Sequence, residues 1–213
     1  MTDIAEKPPQ PTAPAGGAAA AGAAPPSPAP RGFQVVPLKG LPVVALVLGA
    51  LVAAVAVNAL WPLDFFHVVS GGIWTTLDLF LGFVLGPILG RLSVPARIEL
   101  TTRLMPKLIL IMPTVVVCTL AAGFQLARHV GYLYSSYPYH GWVVASFVVV
   151  AVMAVIALGL LEPANLAVLF ELKKPVPNGE VIANLMRRFI VTAGITGAMQ
   201  VATLVIMTRL ATS

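Results

Sequence analysis

The chain has 213 residues, 58% of them hydrophobic and only 10% charged, with a mean hydropathy of +0.92. That composition excludes a soluble globular domain of this length and places the chain in a membrane. The formal net charge of +5 does not argue for nucleic acid, because the basic residues flank apolar runs instead of interleaving with aromatics, and so read as topology determinants.

Residues 1 to 32 are Ala, Pro, Gly and Ser with scattered charges, a mixture that buries too little apolar surface to offset the entropy of ordering it. A disordered cytoplasmic tail is therefore expected over 1–36, followed by a membrane domain over 37–213. No short apolar core follows the start, so no cleavable signal peptide is predicted and the N-terminus is expected to be retained.

The first apolar run, 41–60, fits a spanning helix, since about 20 residues at about 1.5 Å each cover the roughly 30 Å hydrocarbon core. Its polar residue, Asn58, lies near the far end. Trp61 and Pro62 form a very short connection that turns the second helix, 64–90, back antiparallel. The stretch FHVVSGGIWTTLDLFLGFVLGPILG, Phe66 to Gly90, is long enough to cross a bilayer yet carries His67, Trp74 and Asp78. At about 100° per residue, Ser70, Gly71, Trp74 and Asp78 fall within roughly 60° of His67. Such a polar face must avoid lipid. Asp78 lies about 21 Å along the helix from Asp64, near or past the midplane. A charged carboxylate is costly there unless paired, so Asp78 is expected to be protonated or to face a basic or hydroxyl partner inside the bundle. Gly82, Gly86 and Gly90, at four-residue spacing, predict close helix packing.

A polar connection, 91–103, precedes the third helix, 104–127, in which Pro106 suits a first turn and Pro113 should introduce a kink. Thr114, Cys118, Gln125 and His129 share a face. Cys118 is the single cysteine, which excludes an intramolecular disulfide or a CxxC site and leaves a packing role. Residues 128–142 hold all four tyrosines, Trp142, His129 and His140, as expected of an interfacial loop. Helix four, 142–161, is interrupted by Glu162 and Pro163, with an amphipathic continuation over 164–174 along the membrane surface. After a turn from Pro175 to Gly179, helix five covers 188–210. It carries a polar line, Thr192, Thr196, Gln200 and Thr203, and nearly opposite it a line of small residues, Gly194, Ala198 and Ala202.

If five helices alternate, eleven of the 13 lysines and arginines fall on one side and only Arg128 and Arg209 on the other. Positive charge marks the cytoplasmic side. The fold class is thus an all-α integral membrane bundle of five transmembrane helices, expected in a bacterial inner membrane with the N-terminus cytoplasmic and the C-terminus outside. All three histidines then lie at the outer face. The polar face of the bundle is expected to comprise Ser70, Trp74, Asp78, Gln125 and Gln200.

The run H-x3-GG-x-W on helix two, followed by LGPILGRL, a basic connection and RLMPKLILIMPTVVVCTLAAGFQLA, resembles the core of a bacterial membrane superfamily. That superfamily includes copper-resistance protein D and the membrane-bound protoporphyrinogen oxidases of the haem pathway, and the likeness covers about Leu63 to Ala127. It implies that His67 matches an early-helix histidine that ligates haem or metal, and Trp74 the tryptophan beyond it. The chain departs by an extra first helix and by Gly-Pro and Gly-Arg in place of the oxidase's aromatic-Pro-Arg pattern, which weighs against the oxidase activity.

The leading expectation is a multi-pass inner-membrane protein that binds haem b or copper near the outer face, through His67 with His129 or His140, for metal handling or electron transfer. One alternative is a small-solute, ion or proton transporter using Asp78. Another is an accessory subunit with no site and no cofactor of its own. The sequence contains no nucleotide loop, catalytic triad or HExxH zinc motif, and no catalytic residue is assigned. The bilayer is the expected partner, nucleic acid is not, and a homo-oligomer or a larger membrane complex stays open.

Overall fold

The computed structural model describes residues 35–212. The predicted tail falls almost entirely on 1–34, outside the described residues. Among the latter every regular element is helical, and five helices are long and apolar enough to cross a membrane: α1 (Leu38–Val57), α2 (Leu60–Arg91), α3 (Val94–Val130), α4 (His140–Leu172) and α5 (Gly179–Ala211). The all-α five-span bundle expected from the sequence is what folds.

The helix limits differ from the expected ones, each for a local reason. α1 stops at Asn58, which adopts the left-handed conformation at φ 52° and caps Ala54, a role asparagine tolerates better than other residues with a Cβ. Trp61 and Pro62 are then not a connection but the first turn of α2, where a proline costs no hydrogen bond. Likewise Pro95 opens α3 instead of sitting in a loop. The supposed connection 91–103 shrinks to Leu92 and Ser93 because Arg97 folds back over the end of α2. Its Nε donates to Leu89 O at 3.1 Å and its guanidinium to Leu92 O at 3.3 Å, capping the end of α2 and the turn that follows it. α3 runs 37 residues without a break at Pro106 or Pro113, so Pro106 is interior and not in a first turn.

α4 does not break at Glu162 and Pro163. Residues Ala157–Leu161 form a π-helical turn that leads directly into Glu162–Leu172. The wider turn accommodates a proline that clashes with the carbonyl four residues back and lacks an N–H. α2 uses the same device, with a π-turn over Phe80–Leu85 just before Gly86 and Pro87. The segment expected on the membrane surface is instead core: Val168 and Leu169 are fully buried. α5 starts at Gly179, earlier than expected, because Asn178 caps it by accepting from Glu180 N (3.0 Å) and Val181 N (3.2 Å);.

α2 packs along α3, and α5 closes the bundle against α2 and α4 around a core that includes Trp74, Met105, Met112, Leu169 and Phe189. α1 leans on α3 through Leu51, Cys118 and Ala122, which confirms Cys118 as a packing residue. One end of the bundle gathers Tyr132, Tyr137 and Tyr139 against the start of α4 and the end of α5, with Arg209 over the Tyr139 ring. Here burial and the neighbouring Tyr137 push the Tyr132 hydroxyl above its usual range. We call this the aromatic end. At the opposite, basic end the α2–α3 and α4–α5 turns meet: Gly179 lies against Val94, and exposed Arg91, Arg103, Lys173, Lys174, Arg187 and Arg188 surround them.

Candidate functional site

The most deeply enclosed charge-bearing side chain is Asp78, with no exposure at all. The helical period of α2 puts Ser70, Trp74 and Asp78 on one buried face, one turn apart;. Facing it, α5 supplies Thr196 and Gln200, also one turn apart, and both donate to Asp78 Oδ2 at 2.9 Å. The hydroxyl partner expected for this carboxyl is therefore found, and no cation pairs with it among the described residues.

Glycine makes this reach short enough for a threonine. A Cβ on Gly197 would come within 3.1 Å of Leu79 N and 3.3 Å of the Asp78 carbonyl carbon. Further along, a Cβ on Gly82 would come within 2.4 Å of Gly194 Cα, and one on Gly86 within 2.6 Å of Ile190 Cγ2. Gly82 and Gly86 thus form the close seam predicted from their spacing. Gly90 does not, having open space around it. On α5 the seam is Gly194 with Gly197, while Ala198 and Ala202 are exposed. Of the small-residue line only Gly194 meets α2; Ala198 and Ala202 lie on the exposed side, away from buried Thr196 and Gln200.

Three polar atoms at this site lack a hydrogen-bond partner among the described residues: Asp78 Oδ1, Gln200 Oε1 and Trp74 Nε1. The indole N–H lies next to the carboxyl without reaching hydrogen-bonding geometry with it. Buried polar groups rarely go unpaired. Two acceptors and one donor are the complement of a water molecule, which commonly makes about three bonds when buried. One carboxyl oxygen is thus fixed by two donors, and the other has the Trp74 indole beside it and no donor in hydrogen-bonding geometry among the described residues.

From this point polar groups continue toward the aromatic end. The Thr119 hydroxyl of α3 lies 3.0 Å from Ser70 Oγ and 2.7 Å from Val115 O, and Ser70 donates to Phe66 O. The Thr119 carbonyl is 2.9 Å from His67 Nδ1. A carbonyl only accepts, so Nδ1 carries the proton, and in the neutral ring the lone pair sits on Nε2. The imidazole lies on the α3 backbone at Gly123, where a Cβ would come within 2.4 Å of Nδ1.

His67, His129 and His140 do not form one centre. Among the described residues no three His, Cys, Asp or Glu side chains are placed to hold a metal ion. His67 is turned onto α3, His129 is exposed at the α3 terminus, and His140 begins α4 with its buried Nδ1 unpartnered. Gln125 also leaves the expected polar face. It donates to Asn58 Oδ1 at 2.9 Å and ties the end of α1 to α3 at the aromatic end. Ser70, Trp74, Asp78 and Gln200 are brought together on the buried face as expected, joined by Thr196 of the α5 polar line. Thr119 went unread, although its four-residue spacing from Val115 on a buried stripe was visible.

Fold and site together define a polytopic membrane protein with an enclosed carboxyl at the centre of its bundle. No family model, curated protein or solved structure matches the chain.

Proposed function

We propose that the protein moves protons through the bundle and that Asp78 is the group that carries them. The observation behind this is the unequal treatment of its two oxygens: Oδ2 is held by Thr196 and Gln200, while Oδ1 is buried with no donor in hydrogen-bonding geometry among the described residues. The two donors serve the carboxyl in either charge state. Oδ1 is the atom on which a proton arrives and from which it leaves. The outer half of the route follows the α2 face from His67 past Ser70, Thr119 and Trp74, about 16 Å along the helix axis. Ionisable groups at such depth commonly mark proton relays. The basic end faces the cytoplasm of a bacterial inner membrane in this reading, because that side carries the excess lysine and arginine.

Reconstitution in proteoliposomes under an imposed potential, with a lumenal pH dye, tests the proposal. Wild type should acidify the lumen, and Asp78→Asn, nearly the same in shape, should fall to the protein-free rate while keeping its melting temperature. Wild-type flux through Asp78→Asn overturns the proposal.

A second reading rests on His67. A ring whose Nδ1–H is held by a backbone carbonyl presents Nε2 in the way metal- and haem-ligating histidines usually do, and the resemblance to the copper-resistance and oxidase superfamily points to haem or copper at this position. Bound haem or copper would supply an electron-transfer centre near the aromatic end. Protein from cofactor-replete cells should then show a Soret band or bound copper that His67→Ala removes. A colourless, copper-free wild type refutes this reading.

A further inference from the structure

The depth of the bundle in the membrane is set by α1, the helix that its neighbours cover least. Its 20 residues, Leu38–Val57, measure about 30 Å, the thickness of the hydrocarbon core, and Val43, Leu46, Val52 and Val57 are exposed along it. Such a helix lies within the apolar layer from end to end. Two contacts carry its limits over to α3. At the aromatic end Gln125 donates to Asn58 Oδ1. At the other end Gly40 lies against Leu110, where a Cβ would come within 3.0 Å of Leu110 Cδ1. The apolar layer therefore ends near Leu110, whereas α3 begins at Val94, about 24 Å further out along the axis.

This boundary sorts the cations of the basic end by depth. Lys39 precedes Gly40, and Lys107 stands one turn before Leu110 on the same side of α3;. The Gly40–Leu110 contact thus brings the two lysines to one level on neighbouring helices, at the edge of the apolar layer. Both are exposed, and neither is in an ion pair among the described residues. α1 has no acidic residue, and the one in α3, Glu99, is taken by Arg103. Lys39 also sits at the positive pole of α1, where the helix dipole adds to its charge instead of offsetting it. Lys173, by contrast, belongs to the α4–α5 turn, where Gly179 meets Val94. That turn stands well beyond a headgroup region about 5–8 Å deep.

We propose that Lys39 and Lys107 together bind the phosphate of an anionic phospholipid in the leaflet at the basic end. Its tails lie against exposed side chains of the two helices, among them Leu41 and Ile111. Both ammonium groups donate to the phosphate, each as a point charge, while their stems reach outward along the apolar surface. A zwitterionic lipid carries its own cation beside the phosphate and gains less. The site depends on neither the Asp78 nor the His67 reading.

Native mass spectrometry of protein released from nanodiscs of equal parts phosphatidylcholine and phosphatidylglycerol counts the lipids that stay bound. Lys39→Gln and Lys107→Gln should each weaken phosphatidylglycerol retention about fivefold, the equivalent of about 1 kcal/mol per cation near a membrane surface. Lys173→Gln should retain it like wild type, and so should Lys107→Arg, which keeps the charge. Unchanged retention in the variant lacking both lysines overturns the site. An equal loss in Lys173→Gln also overturns it, since the effect would then be one of net charge, and loss in Lys107→Arg shows that charge does not hold the lipid. Inorganic phosphate separates a lipid site from a site for the free ion: displacement of the lipid by phosphate at equal concentration overturns the lipid assignment. Both lysines are exposed, so the glutamine variants should melt like wild type in lipid-free detergent.

Discussion

Thr196 reaches Asp78 across 118 positions of sequence with a bond of 2.9 Å. Its worth can be measured without changing shape, since valine fills the same volume. Thr196→Val should lower stability by about 1–3 kcal/mol, because a buried carboxyl oxygen loses one of its two donors. Thermal unfolding in detergent reads this, and an unchanged melting temperature would show that Gln200 alone suffices. At this scale the sequence was informative about faces and silent about pairings. The period of α2 put Ser70, Trp74 and Asp78 on one side, and the period of α5 did the same for Thr196 and Gln200. Which helix faces which, and at what register, is decided by glycines whose role depends on the neighbour they meet. For the same reason Gln125 was misplaced: a polar side chain near a helix end reads alike whether it faces the bundle or a neighbouring turn.

The helices themselves show where periodicity misleads. Pro163 read as a break because a proline in an α-helix removes a bond and clashes with the preceding turn. The π-turn widens the helix just before it and lets α4 continue. The same sequence arrangement, an apolar turn ahead of X-Pro, occurs at Gly86 and Pro87 on α2. The glycine seam gives an element-scale prediction. The first atoms an added methyl on Gly82 would meet belong to the Gly194 backbone, which has no side chain to rotate away, so α2 and α5 must separate. Gly82→Ala should cost about 1–3 kcal/mol, the usual range for overpacking. Gly90→Ala, in open space, should be neutral or gain up to about 1 kcal/mol from helix propensity. Melting curves of the two variants side by side check this. Equal values would mean that the seam yields.

As a whole the molecule is a five-helix bundle with unlike ends, and this was the most legible feature in the sequence. Apolar length fixed the number of spans, and charge sorted their ends. The helix limits were less legible because Arg97 and Asn178, polar residues that read as loop, are spent on capping helices. Five spans put the two ends of the described residues on opposite sides. With the basic end in the cytoplasm, as proposed above, a phosphatase fused after Ser213, active only outside the cytoplasm, should be active, whereas a fluorescent protein that folds only in the cytoplasm should be dark at the same place. The reverse pattern would invert the bundle.

The distance in sequence between Asp78 and its partners also bears on how the bundle is made. α2 leaves the ribosome and must be accommodated by the membrane while Thr196, 118 residues later, has not been synthesised. At about 5–20 residues per second the carboxyl waits roughly 6–24 s for its donors. During that interval the growing chain carries an unserved acid, and only the arrival of α5 supplies its two donors. Messages cut short before α5 should accordingly yield chains that quality control removes, however many apolar spans they already contain.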